Sequence, residues 1–265
     1  MSADDEPRSN VDALERASFA GEGEVGRARN GLEIVSGRQA TMELVHGADD
    51  REAVTPTTAF PWRAICALSI TRADGTLGTG TGFLIAPRTV VTAGHCVHSA
   101  ARGGWARSIE VVPGRDGALS PYGKATGTVL RSVAGWIDRA DSAFDYGAII
   151  LSNVNGFPAL GAFGYAARGD AQLRGAIVNV AGYPDDKPEG TQWWASSTIA
   201  DVTARMLEYD IDTESGQSGA PVWREENGLR VVLGIHTGGD AALNSATRID
   251  ASVLANLESW RAQGS

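Results

Sequence analysis

GFLIAPRTVVTAGHCV, Gly82 to Val97, reads as an apolar run, a turn marked by Pro87, a second apolar run and then a histidine. Short apolar runs bounded by Pro, Gly, Asp or Asn are the signature of buried strands. The same texture begins near Thr58 and continues through most of the chain. AICALSI (64–70) alternates, and SIEVVPG (108–114), ATGTVLRSVAGW (125–136) and YGAIILS (146–152) follow. Further on come AIVNVAGYP (176–184), EYDIDT (208–213) and LRVVLGIHTG (229–238). This many strands at short spacing predicts an all-β barrel or sandwich. No strand is regularly followed by a helix, which excludes a doubly wound sheet. Only the end reads as helical. In DASVLANLESW (250–260), Val253, Leu254, Leu257 and Trp260 share one helix face, with Asp250 or Ser252 as the cap.

The composition fits one large β domain or two small ones. The chain has 265 residues, 43% of them hydrophobic, with 33 glycines and 10 prolines. The formal net charge of −9 argues against nucleic acid or an anionic membrane as a partner. No apolar run reaches the length of about 18 residues that a membrane helix needs. The start, MSADDEPRSN, lacks the basic and apolar regions of an ordinary signal peptide. Residues 1–44 are rich in Asp, Glu, Arg, Gly and Ser, with one short helical pattern around Val11–Phe19. They read as a disordered tail or as a removable pro-segment.

Three local patterns carry chemistry. VVTAGHCV places His95 at the end of an apolar strand, FDYGAIIL places Asp145 just before another, and GQSGAPV sets Ser218 between glycines. A serine hydroxyl needs a neighbouring base to act as nucleophile. Histidine has the pKa to take that proton and return it. A buried carboxylate fixes the imidazole tautomer and stabilises the imidazolium. The N–H groups of Gly216 and Ser218 would form an oxyanion hole. Singly, each pattern is as well explained by a structural histidine, a turn aspartate and a chance glycine-rich loop. Together, in this order on strand ends, they point to His95, Asp145 and Ser218 as a triad. No HExxH-type metal cluster is present, and neither a cofactor nor a metal is expected.

VVTAGHC, DYGAIIL and GQSGAPV resemble the three active-site blocks of the chymotrypsin-fold serine proteases, over about Val45 to Ile249. GFLIAPRTVVTAGHCV, AGYPDDK, YDIDTESGQSGAPVW and GIHTGG resemble the bacterial glutamyl endopeptidase branch. The resemblance implies two six-stranded antiparallel β-barrels, about 58–155 and 156–249, with the site between them. It also implies a C-terminal helix at 250–262, packed on the second barrel. Residues 45–265 would be the protease domain, a monomer acting on protein or peptide substrates, with an activating protease as a further partner. The family is secreted, whereas the missing leader leaves cytoplasmic action or non-classical export open.

The resemblance also bears on specificity. Asp212, six residues before Ser218, matches the basic-residue reader of trypsin-like enzymes, yet no cysteine follows Cys96 to brace such a pocket. In the glutamyl branch a histidine and a hydroxyl residue bind a substrate carboxylate, and here these are His236 and Thr213. A carboxylate taken out of water needs such charge-assisted hydrogen bonds. Asp212 would then be a structural acceptor. Glu214 departs from the family pattern and would repel an acidic substrate if it faced the pocket. Thr237, Gly238 and Gly239 would pair with the substrate backbone. VHGADDR (45–51) resembles a mature start, which implies a cut between Leu44 and Val45 and places the Val45 amine near the pocket.

Other readings remain at this level: basic specificity, a family-fold binding module without catalysis, or an α/β-hydrolase. The last has the triad order Ser, acid, His, which this chain lacks. Cys66 and Cys96 allow either a bridge, worth roughly 3–4 kcal/mol for a loop of about 30 residues, or two buried thiols.

Overall fold

The computed structural model describes residues 1–12, 45, 48–151, 157, 160–239 and 242–265. Its first sheet runs, in order of pairing, through Val129–Val133, Gly147–Ile150, Thr89–Thr92, Leu77–Ala86, Ile65–Thr71, Ser108–Pro113 and Ala125–Gly127. The first and last of these are one strand broken at Thr128, so the path closes on itself as a six-stranded barrel. The second sheet closes through Leu229–Gly239, Pro221–Glu226, Ile177–Gly182, Trp193–Val202, Met206–Tyr209 and Asn244–Arg248. The fold is the expected pair of antiparallel barrels.

Each barrel is filled by apolar side chains from its own strands. Val178, Val180, Ile199, Leu207, Val222 and Leu233 fill the second barrel. In the first, Thr89–Thr92 and Gly147–Ile150 are buried at every position. Both faces of these strands are covered, which is why they read as unbroken apolar runs. At the seam, Trp62 packs on Trp194 and Trp223, and Phe163 packs on Phe83 and Trp223, with ring centroids 5.8–6.0 Å apart. These aromatics fix one barrel against the other and so fix the cleft between them.

The C-terminal helix, Ala251–Gln263, is capped by Asp250, whose side chain accepts from Ser252 N and Val253 N. Its buried residues Val253, Leu257 and Trp260 join the cluster of the first barrel, not the second. Trp260 packs on Tyr146 at 5.7 Å, and its carbonyl accepts from Thr89 Oγ1. This corrects the expected placement. Thr89–Thr92 and Gly147–Ile150 offer a flat apolar back on the first barrel, and the Val253–Trp260 stripe covers it.

The N-terminus is not a uniform tail. Pro7–Ser9 is a strand paired antiparallel with Val129–Val133. Residues 13–44, which hold most of the Val11–Phe19 pattern, lie outside the described set.

Candidate active site

His95 sits on a single helical turn, Gly94–Val97, directly after the Thr89–Thr92 strand. A side chain at Gly94 would run into Asp145 Oδ1 and Trp136. The absence of one lets Asp145 approach and accept twice. Oδ1 takes the His95 backbone N–H at 2.8 Å, and Oδ2 lies 2.8 Å from His95 Nδ1. One carboxylate therefore sets both the position and the ring plane of the histidine. Asp145 is buried, follows a short turn capped by Asp141, and receives Thr247 Oγ1 on its carbonyl at 3.3 Å. Burial works to lower the His95 pKa, but the Asp145 charge overrides it and holds the imidazole well above the usual histidine value.

Ser218 faces the same cleft as His95 and Gly216, a space of about 1170 Å³. Its loop is tied from several sides. Thr81 N donates to Ser218 O at 2.9 Å, Thr81 Oγ1 to Gly216 O at 2.7 Å, and Gly219 N to His236 O at 2.7 Å. Gly219 has φ +89°, and a Cβ there would strike Thr81 O and Thr92 Oγ1. The Ser215 carbonyl accepts from Asp185 N at 2.7 Å. Because the peptide is planar and trans, the Gly216 N–H points to the opposite side.

A second layer supports this loop, and sequence reasoning missed it. Arg51 has no exposed side-chain area and sits between the carboxylates of Asp49 and Asp186. Its Nη1 reaches Gln217 Oε1 at 3.3 Å, and the same oxygen accepts Glu214 N at 3.1 Å. Asp212 Oδ2 accepts the Asp50 N–H at 3.1 Å. The segment Asp49–Arg51 is thus clamped onto the loop that carries Ser218. A positive charge holding the residue next to Ser218 was hidden because Arg51 and Gln217 lie 166 positions apart.

The candidate specificity residues fall into two groups. His236 is fully buried, with Nδ1 2.7 Å from Tyr209 Oη, a partner the sequence did not announce. Thr213 is fully buried, and its Oγ1 has no hydrogen-bond partner among the described residues. Asp212 serves as a backbone acceptor, and Glu214 folds back to accept Ser215 N at 2.9 Å. The ladder between Leu229–Gly239 and Pro221–Glu226 ends at Ile235, which leaves Thr237, Gly238 and Gly239 as an edge with no strand on that side among the described residues. Val45 is half-buried, and it is the segment after it that the structure ties to the site. Cys66 and Cys96 are both free buried thiols, so the bridge considered from sequence does not form.

Comparisons with known proteins bear on the family and the fold. Residues 80–235 match the trypsin-like peptidase domain. A glutamyl endopeptidase of Bacillus licheniformis is 37% identical over 264 residues, covering 96% of this chain and 81% of that protein. A Bacillus subtilis protein named extracellular metalloprotease is 40% identical over 221 residues, or 82% of this chain and 69% of that one. That name belongs to the relative; among the described residues here no group of three or more His, Cys, Asp or Glu is placed to hold a metal ion. A solved Glu endopeptidase structure superposes with a TM-score of 0.74 at 27% identity, covering 83% of this chain and 100% of the other.

Proposed function

The chain belongs to the trypsin-like serine peptidases, and within that family we propose that it is an endopeptidase that prefers glutamate or aspartate on the acyl side of the scissile bond, with His95, Asp145 and Ser218 as its triad. In this reading His95 Nε2 takes the proton of Ser218 Oγ as the oxygen attacks the scissile carbonyl. The N–H groups of Gly216 and Ser218 stabilise the tetrahedral oxyanion. His95 then gives the proton to the leaving amine, and water repeats the sequence on the acyl-enzyme. Asp145, held by two contacts to His95, keeps the ring in register and balances the imidazolium charge.

The observation that carries the specificity is the buried Thr213 hydroxyl, which has no partner among the described residues and lies five residues before Ser218. A buried hydroxyl left unmatched costs free energy unless a ligand completes it. His236 supplies the second donor. Its Nδ1 lies 2.7 Å from Tyr209 Oη, and in the tautomer in which Oη donates to Nδ1 the proton sits on Nε2, from which it can be given to a substrate carboxylate. Asp212 and Glu214 are engaged with backbone N–H groups of Asp50 and Ser215. This supports neither a basic pocket nor an acidic barrier. Thr237–Gly239 would align the substrate as an added strand. We also assign the protease domain to residues 45–265, with barrels at about 58–155 and 156–249, and place an activating cut between Leu44 and Val45. The freed Val45 amine would then add a positive charge near the pocket.

The test is cleavage of paired anilides. A Leu-Leu-Glu anilide should be hydrolysed and an Arg anilide should not. Turnover of the arginine substrate alone would overturn the assignment. N-terminal sequencing of the active form checks the cut.

A further inference from the structure

The N-terminal segment, residues 2–10, precedes the proposed cut, yet it is built into the body. Pro7, Arg8 and Ser9 register against Val133, Ser132 and Arg131 as an added antiparallel strand. Either side of that strand, Ala134 N donates to Glu6 O and Leu130 N donates to Asn10 Oδ1, both at 2.9 Å. Asn10 Nδ2 returns a bond to Thr128 O at 2.6 Å. Arg131 Nη1 reaches Ser9 Oγ.

The anchor is Asp5. It is fully buried, and both its oxygens accept from Arg205, at 2.8 and 2.6 Å. Arg205 belongs to the second barrel, in the turn between Trp193–Val202 and Met206–Tyr209. Its guanidinium also lies 4.2 Å above the Phe144 ring and 3.2 Å from Asp250. Asn256 of the C-terminal helix donates to the Asp5 carbonyl at 3.0 Å and to Tyr146 Oη at 2.8 Å. Ser132, which faces Arg8, donates to the Tyr146 carbonyl at 2.8 Å. Residues 2–10 thus touch the first barrel, the second barrel and the terminal helix. They do so around Phe144 and Tyr146, the two neighbours of Asp145.

We propose that residues 2–10 form a strap that stays bound after the chain is cut before Val45, so that the processed protease is a non-covalent complex of an N-terminal peptide and the barrel body. The docking surface is the open edge of Val129–Val133 together with Arg205 and Asn256, and its ligand is a short acidic segment of this chain, a helical turn at Ala3–Asp5 followed by the strand Pro7–Ser9. Backbone ladder bonds supply the register, and the bidentate Asp5–Arg205 pair supplies the specificity. The strap also stiffens the Asp145 segment from behind. This inference rests on the proposed cut but not on the glutamate preference.

The test uses the full chain. A recognition sequence for an orthogonal protease is inserted after Gly23, in a Ser218→Ala background to prevent self-cleavage. After the cut, native mass spectrometry and gel filtration should find the N-terminal peptide on the body. Hydrogen exchange at Leu130 and Ala134 should stay as slow as in the uncut protein. Asp5→Asn should speed release at least about 10-fold, because a charge-assisted pair is lost from a buried site. If that variant does not fold, the exchange rates in the cut wild-type strap decide alone. A peptide that elutes separately, with Leu130 and Ala134 exchanging freely, would overturn the proposal.

Discussion

At the scale of single residues, the pocket and its brace make separate demands. Thr213→Val keeps the shape of the side chain and removes the hydroxyl. A hydrogen bond to a charged group is worth about 1.5–3 kcal/mol, so kcat/KM for a glutamyl substrate should fall about 10–100-fold. A substrate with an apolar residue in that place should barely change. His236→Gln should act in the same direction. If Thr213→Val hydrolyses glutamyl and apolar substrates in the native ratio, the hydroxyl does not read the substrate. Arg51 tests the brace. Its side chain is fully enclosed by Asp49, Asp186 and Gln217. Arg51→Gln should let the Glu214–Gln217 turn drift and misplace the Gly216 donor. The expected signature is a fall in kcat of about tenfold with KM nearly unchanged, since the loss is confined to the transition state. Equal losses in substrates of every kind would mark it as oxyanion support; a change in KM alone would place Arg51 in the pocket instead.

At the scale of elements, the sequence was legible where burial is continuous and local. The run from Gly82 to Val97 predicted strand, turn, strand and histidine, and it folds that way because both faces of these strands are covered. The Val253, Leu257 and Trp260 stripe predicted the terminal helix, but not which barrel it meets. A stripe says that a partner exists and not where. The N-terminal strand escaped notice for a different reason. It is polar, and it is held by ladder bonds and by Asp5, whose partner Arg205 lies 200 positions away. The Arg51 clamp was hidden likewise, since an arginine beside two aspartates reads as surface until the fold encloses it. The Ser218 turn was the most readable loop, because its glycines are forced. Gly219 at φ +89° has no room for a Cβ beside Thr81 O. Gly219→Ala should therefore abolish labelling of Ser218 by a fluorophosphonate, while far-ultraviolet circular dichroism stays barrel-like. Retained labelling would show that the loop can move aside more freely than its packing implies.

At the scale of the whole molecule, activity and stability should prefer different pH. His95 is held well above the usual histidine pKa by Asp145. As the proposed base, His95 works only when neutral, so kcat/KM should rise with pH through a limb above about 6.5, the unperturbed histidine value. Asp145→Asn should move that limb down and lower kcat on the order of 10⁴-fold. Stability follows the opposite sense. A histidine whose folded pKa is raised stabilises the native state fully below its unfolded pKa, and this contribution fades as pH climbs through the folded value. Asp49 is held below the usual carboxylate range by Arg51, and Asp5 by Arg205 against the opposing effect of burial. Their contribution is full above about pH 4 and is lost as pH falls through their lowered values. Asp50, raised by burial and by the nearby Asp212, offsets part of this at the acid end. The melting temperature of the Ser218→Ala protein should therefore peak between about pH 4 and 6.5, below the pH at which the active enzyme turns over fastest. Melts that rise in step with the rate profile into the alkaline range would show that the His95–Asp145 pair does not shape the stability curve. An Asp145→Asn melt that loses the decline above pH 6.5 would tie that decline to the pair itself.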